Sequence, residues 1–275
     1  MSDDPATQVA AFGSFTSAID YANTQLKNYG VMTDSGHWQG VTTDGKPDLM
    51  TKEILDMGFA VDLERASWHM PTEDYAEWVD ELASEIEPNL PWANMEFEER
   101  VGGAPKNPHD SLTSWPWWHG QTDETMNPEG QFTHTYSERF WPTPNKGVRF
   151  RMGNYDDVLD LLFQHPNTRQ AYLPIFFPED TGAKHSGRVP CTLGYHFLLR
   201  SSHLHCWYEI RSCDAVRHFR DDLYLAARLV GHTIETLFER EVHSDREQVW
   251  VDVDPGMLLF RAHSFHVHMG DYHLL

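Results

Sequence analysis

The stretch PCTLGYHFLLRSSHLHCWYEIRSCD, residues 190–214, carries the reading of the fold. Residues 193–200 and 203–212 are strand-like runs, and Ser201 and Ser202 between them form a hairpin signal although neither is glycine. Downstream, 220–241 has the period of a long helix. VWVDV (249–253) and MLLFRAHSFHVHM (257–269) read as two more strands on either side of an Asp254-Pro255-Gly256 turn. Upstream, YDDVLDLLFQH (155–165) is a helix stopped by Pro166, and QAYLPIFF (170–177) a buried strand. Farther back, EDYAEWVDELASEIE (73–87) spaces Tyr75, Trp78, Leu82 and Ile86 three and four apart, the stripe of an amphipathic helix ended by Pro88 and Pro91. The segment 102–131, rich in Gly, Pro, Asn and Trp, reads as a long surface or lid loop with an aromatic cluster. Together these elements describe an α+β chain with a mainly antiparallel sheet.

At 275 residues, 40% of them apolar and 13% aromatic, the chain has the material for a sizeable core. No window reaches the roughly 18 apolar residues of a membrane span, and the opening MSDDPATQ lacks the basic and apolar stretches of a signal peptide. A cytoplasmic protein with no membrane partner is expected. Cys191, Cys206 and Cys213 form no CxxC pair and are odd in number, which argues against a disulfide framework and fits a reducing compartment. The formal charge of −21 sets the chain against nucleic-acid backbones, which want a basic surface, while leaving room for a nucleotide in a local arginine pocket. Excess acid is also a general solubility feature and says nothing about catalysis.

A cysteine after proline at the start of a strand is, by itself, more often a small buried residue. Cys191 has a different context, because Arg211-Ser212-Cys213-Asp214 follows at the end of the next strand and a nucleophilic thiol needs a nearby cation. The hairpin can place Arg211 beside Cys191. The plainer reading of Arg211 is an ion pair with Asp214. A metal reading also exists: His203 with His205 and Cys206, or His263, His266, His268 and His273, put alternating histidines on strands. No acidic partner stands at a spacing that selects a metal, and none is expected.

Pro190-Cys191, the strand after it, Arg211-Ser212-x-Asp214, a helix and a final His266-Val267 element, in that order, resemble the catalytic half of the thymidylate synthase superfamily. The resemblance covers residues 131–275 well and the first 90 hardly at all. It implies a thymidylate synthase-like α+β fold over 1–275, as one domain with a divergent part up to about residue 130. It also implies a mixed or mainly antiparallel sheet flanked by helices and a sheet-to-sheet homodimer with shared active sites. In chemistry it implies a pyrimidine nucleoside monophosphate as substrate, 5,10-methylenetetrahydrofolate as one-carbon donor, and Cys191 as the nucleophile.

Residue by residue, the resemblance assigns Arg211, Ser212, Thr192 and His266 to substrate binding and Asp214 to the catalytic set. Pro166-Asn167-Thr168-Arg169 resembles the family's Pro-x-Ser-Arg-Arg, whose arginines reach phosphate across the dimer; Arg169 keeps one of them and Gln170 replaces the other. Tyr136, in Thr135-Tyr136-Ser137-Glu138-Arg139-Phe140-Trp141, matches the tyrosine that assists proton transfer, with a core aromatic as the plainer account. For the glutamate that organises water, MEFEERVGG offers Glu99, which is preferred, and Glu96, three residues earlier on the same helical face; a solvated acidic helix is the plainer account. Trp115, Trp117 and Trp118 are candidates for the flat wall against a folate pterin, or simply pack together. Arg65 is the candidate for an N-terminal phosphate arginine.

Two marks separate members of the superfamily. Synthases acting on deoxyuridylate have asparagine where Asp222 stands, whereas Phe219-Arg220-Asp221-Asp222 resembles the Phe-Arg-Asn-Asp of bacteriophage deoxycytidylate hydroxymethylases. Cys191-Thr192 likewise matches their Cys-Thr rather than Cys-His. The expectation is a dCMP 5-hydroxymethylase. His268 replaces the tyrosine that helps hold the sugar, so a CMP 5-hydroxymethylase of the nucleoside-antibiotic type is the alternative, followed by a dUMP (hydroxy)methylase and a non-catalytic nucleotide-binding relative.

Overall fold

The computed structural model describes residues 9–38, 41–64, 71–117, 129–142, 154–181, 188–245 and 248–275. In chain order the strands and helices are β1 (Ala11–Phe12), α1 (Phe15–Tyr29), β2 (Val31–Thr33), β3 (His37–Trp38), β4 (Val41–Thr42), β5 (Thr51–Asp62), α2 (Pro71–Ile86) and α3 (Trp92–Val101). They continue with α4 (Tyr136–Phe140), α5 (Tyr155–Gln164), β6 (Tyr172–Pro174), β7 (Thr192–Arg200), β8 (His203–Asp214), α6 (Phe219–Val242) and β9 (Asp254–His268). The main sheet runs β1-β5-β9-β8-β7-β6, with β2 also on β5, while β3 and β4 form a separate pair. β8 and β9 are parallel, as are β1 and β5; the other pairings are antiparallel. The sheet is therefore mixed.

The β7–β8 hairpin closes through Ser201 (φ 49°) and Ser202 (φ 62°), both left-handed. That turn matches the twist of the flanking strands, and it forms here at a backbone cost of about 1 kcal/mol per residue that glycine or asparagine would lessen. Along β8, Leu204, Tyr208 and Ile210 are buried while Trp207 and Glu209 face the other side half-exposed. The buried face lies under α6, which is apolar on most sides, burying Leu223, Ala227, Val230 and Ile234, and so forms the centre of the core. Phe219, at its start, meets the rings of Phe260 and Phe265 on β9 at 5.3 and 4.8 Å. Helix α2 packs its Trp78, Leu82 and Ile86 stripe inward, as the period predicts. It approaches α6 so closely that a Cβ on Gly231 would lie 2.5 Å from the Trp78 ring.

Three sequence expectations change. VWVDV is not a strand: Trp250–Asp252 is a helical turn, because the Glu241 carboxylate at the end of α6 accepts from the backbone N–H of Val249, Trp250 and Val251 at 2.6, 2.7 and 3.2 Å. Asp254-Pro255-Gly256 is not a turn but the start of β9. Asp254 N donates to Ser202 O at 2.9 Å, and Gly256 O accepts from Leu63 N at 2.9 Å, so neighbours on both sides hold it extended. A Cβ at Gly256 would come within 2.7 Å of His205 Nδ1, which explains the small residue. Finally, the strand expected over 170–177 shrinks to Tyr172–Pro174 at the sheet edge, where the N–H groups of Ile175 and Phe176 both turn to Leu193 O. No helix among the described residues is long and apolar enough to cross a membrane.

Candidate active site

Cys191 sits just before β7, and Arg211 lies near the end of β8, with Arg211 N donating to Cys191 O at 2.8 Å. The guanidinium donates to Pro190 O (2.8 Å) and Val189 O (3.0 Å) and places Nη2 3.8 Å from Cys191 Sγ. The ion pair with Asp214 does not form. Asp214 Oδ1 instead accepts from Val216 N and Arg217 N at 3.0 Å each, shaping the turn into α6. Cys191 is half-buried, whereas Cys206 and Cys213 are fully buried. Burial raises the Cys191 thiol, while Arg211 and Arg188 pull it back toward the thiolate. No carboxylate among the described residues pairs with either guanidinium, so both charges remain available to the sulfur. Iodoacetamide is therefore expected to modify Cys191 first, and Arg211→Met to slow that alkylation about tenfold near pH 7.5. Equal rates in the two proteins would show that Arg211 does not support the thiolate.

Tyr136 opens α4, a short helix started by a capping box between Thr135 and Glu138. Its hydroxyl lies 3.5 Å from Thr192 N and 3.4 Å from Thr192 Oγ1, whose other partner is Tyr208 OH at 3.0 Å. Asp222, in the first turn of α6, approaches Cys213 Sγ at 3.7 Å. Burial pushes Asp222 up to about 7 against the pull of Arg100. The carboxyl thus sits near the balance point between its protonated and ionised forms at neutral pH.

These side chains meet at a cavity of about 180 Å³ whose wall includes Glu96, Arg100, Tyr136, Cys191, Ser212 and Asp222. Of the two candidate glutamates, Glu96 is in this wall and Glu99, the preferred one, is not. The Glu99 oxygens are taken by Asp110 N and Ser111 Oγ, both at 2.7 Å. Neither belongs to a solvated face, since Glu96 is 3% and Glu99 7% exposed. Glu96 accepts from Arg100 Nε at 2.9 Å and lies 3.2 Å from Ser111 Oγ and 2.6 Å from His109 Nδ1. Burial alone would favour its neutral form, but Arg100 and His109 outweigh it and hold Glu96 down at about 2.

Trp115 is also in the wall, stacked on His218 (4.9 Å, 21°) and tilted against Trp92 at 6.0 Å. Burial lowers His218 to about 4 against the pull of Asp214, so its ring is neutral and stacks without carrying charge. Trp117 stands apart from the wall, under the Arg217 guanidinium at 5.2 Å. Trp118 and Arg65 lie outside the described residues. Two buried nitrogens here, Trp115 Nε1 and His109 Nε2, have no hydrogen-bond partner among the described residues. A flat aromatic wall with unmet polar atoms suits a flat, polar heterocycle such as a pterin.

Asp214, His266 and His268 cluster across β8 and β9, with potential ligand atoms within 4.8 Å of one another. They lie outside the cavity wall. Glu96, Glu99 and His109 form a second such group, but its members are already engaged with one another and with Arg100 and Ser111. His205 is structural, accepting from Met257 N at 3.0 Å, and Cys206 is fully buried. Arg169 is exposed and away from the cavity wall. Trp92, Arg100, His109, His134, Arg188 and His218 are among the wall residues that sequence reading missed. Only Arg100 carried a signal, its i,i+4 spacing from Glu96.

No protein-family model matches the chain, and no curated protein matches it. Among solved structures it is similar to thermostable thymidylate synthase A from Bacillus subtilis, with a TM-score of 0.57 and 14% identity over 95% of this chain and 83% of that one. The chain therefore has a thymidylate synthase-like α+β fold, whose β7–β8 hairpin brings Arg211 beside Cys191 of the cavity wall.

Proposed function

We propose that the protein is a folate-dependent one-carbon transferase acting on a pyrimidine nucleoside monophosphate, and more narrowly a dCMP 5-hydroxymethylase. The observation that carries the reading is the convergence of Cys191, Arg211, Tyr136, Glu96 and Asp222 on one place. The Cys191 thiolate adds to C6 of the base, with Arg211 beside it to stabilise the thiolate. Asp222, balanced near neutrality, accepts from the cytosine amino group and holds a proton at N3. Ser212 and Arg211 bind on the phosphate side, and Thr192 orients Tyr136. Trp115, His218 and Trp92 would hold 5,10-methylenetetrahydrofolate, which supplies the one-carbon unit when bound. Glu96 replaces Glu99 in this reading as the carboxylate that orders the water delivering the hydroxyl group.

The sheet surface supports a homodimer with shared sites. Tyr172, His196, Trp207 and Leu259 stand directly opposite one another across β6, β7, β8 and β9, an aromatic and aliphatic row on the face away from α6. Tyr172 is 40% exposed there. His196 Nε2 also contacts Arg169 O at 3.1 Å, which sets Arg169 at the rim of the same face, where a partner's phosphate would be in reach.

The test is incubation with dCMP, CMP or dUMP and 5,10-methylenetetrahydrofolate, with mass detection of a hydroxymethylated nucleotide. Product from dCMP is expected. Product only from CMP or dUMP would move the substrate assignment, and nucleotide binding with no product would leave a binding relative. Mixing Cys191→Ala and Arg169→Ala protomers is expected to restore part of the activity that each lacks alone. No restoration after demonstrated subunit exchange would end the shared-site proposal.

A further inference from the structure

The geometry points to Arg100 as the positioning residue that ties together the two proton-handling groups of the site, Glu96 and Tyr136. This inference rests on the one-carbon-transfer reading above. Arg100 is 4% exposed and lines the cavity from α3. Its Nε donates to Glu96 Oε1 at 2.9 Å, its guanidinium carbon lies 4.0 Å from the centre of the Tyr136 ring, and its Nη1 lies 3.5 Å from Tyr195 OH. Tyr195 stacks on Tyr208 at 4.9 Å and 10°. The Tyr208 hydroxyl is 3.0 Å from Thr192 Oγ1, which returns to Tyr136 OH at 3.4 Å. The contacts close a ring that begins and ends on Arg100 and passes through the residue next to Cys191. Trp141 Nε1 fixes the Arg100 carbonyl from outside the ring at 2.8 Å.

Only arginine can serve both neighbours at once. The edge of the guanidinium donates to a carboxylate while its face covers an aromatic ring; a lysine ammonium has neither plane nor fork. The charge also acts beyond direct contact. It opposes the effect of burial at Tyr136 and at Asp222, so the cation that keeps Glu96 ionised also eases proton loss from the other two groups. The titratable groups facing it are Glu96, backed by His109, then Tyr136 and Tyr195, with Asp221 and Asp222 on α6.

Arg100→Lys keeps the charge without the fork. It is expected to lower kcat about 10- to 100-fold with KM for the nucleotide within about threefold, and to move the acid limb of the kcat–pH profile upward as Glu96 loses its partner. In Arg100→Ala, ethylguanidinium is expected to restore part of the lost kcat and propylammonium is not. A readout that needs no turnover is the Cζ resonance of carbon-13-labelled tyrosine at position 136, assigned with Tyr136→Phe. It is expected to shift in ligand-free Arg100→Lys. Arg100→Met combined with Glu96→Gln leaves no lone buried charge and serves as a folded reference in which the resonance also moves. Wild-type kcat and pH profile in Arg100→Lys, with an unmoved Tyr136 resonance, would overturn the assignment. If the wild-type protein makes no product from any pyrimidine nucleotide, the one-carbon-transfer reading fails and the resonance alone decides the role of Arg100.

Discussion

Cys191→Ala is expected to lower kcat by at least about 10³-fold while the Kd for the nucleotide stays within about threefold. In the proposed mechanism the sulfur forms the covalent bond, and no other thiol among the described residues can replace it: Cys213 is buried, engaged with Asp222, and its thiol is pushed up by burial. The rest of the binding surface is untouched, because Arg211 is held by the carbonyls of Val189 and Pro190 rather than by the sulfur. Calorimetric titration with dCMP, alongside product detection, measures the two quantities separately. Cys206→Ala is the control, since Cys206 is buried on β8 and absent from the cavity wall. Turnover retained in Cys191→Ala would end the covalent mechanism.

Asp222→Asn should shift the ratio of kcat/KM for cytosine over uracil nucleotides toward uracil by at least about tenfold. A carboxyl accepts from the cytosine amino group and presents or takes a proton at N3, whereas an amide pairs with the N3–H and O4 of uracil. Offering the wrong edge leaves buried polar groups unpaired, at roughly 1–3 kcal/mol each. The same variant has a consequence that needs no substrate. An unfolded aspartate titrates near the ordinary carboxylate value of about 3.9, while burial holds Asp222 at about 7. A group raised on folding contributes stability that is full below the unfolded value and is lost as pH rises through the folded one. The wild type should therefore lose stability relative to Asp222→Asn between about pH 4 and 7, with the Tm difference moving in favour of the variant by at least about 2 °C. Parallel Tm–pH curves would show that Asp222 is not a buried titrating group. An unchanged base ratio in a folded variant would remove the main reason for preferring cytosine.

Periodic patterns were legible because they depend on local geometry. The Trp78, Leu82 and Ile86 stripe, the α5 helix and the β7–β8 hairpin follow from spacing within one element. The errors came where a distant group overruled a local signal. Val249–Val251 has strand composition, yet one carboxylate at the end of α6 collects its N–H groups into a turn. Asp254-Pro255-Gly256 has turn composition, yet backbone partners from Leu63 and Ser202 hold it extended.

The sequence by itself determined the order of the strands and helices from residue 155 to residue 242 and the placing of Cys191 and Arg211 at facing ends of a hairpin, because each depends on residue identity and short spacing. Only the tertiary structure decided which glutamate faces the cavity. Glu96 and Glu99 share a helix and a similar burial, and the direction of α3 against α4 and the Ser111–Ser114 turn separates them. It also brought Arg100 over Tyr136 and His218 onto Trp115. Those contacts join residues far apart in the chain, and a contact made by packing leaves no mark in the local sequence of either partner.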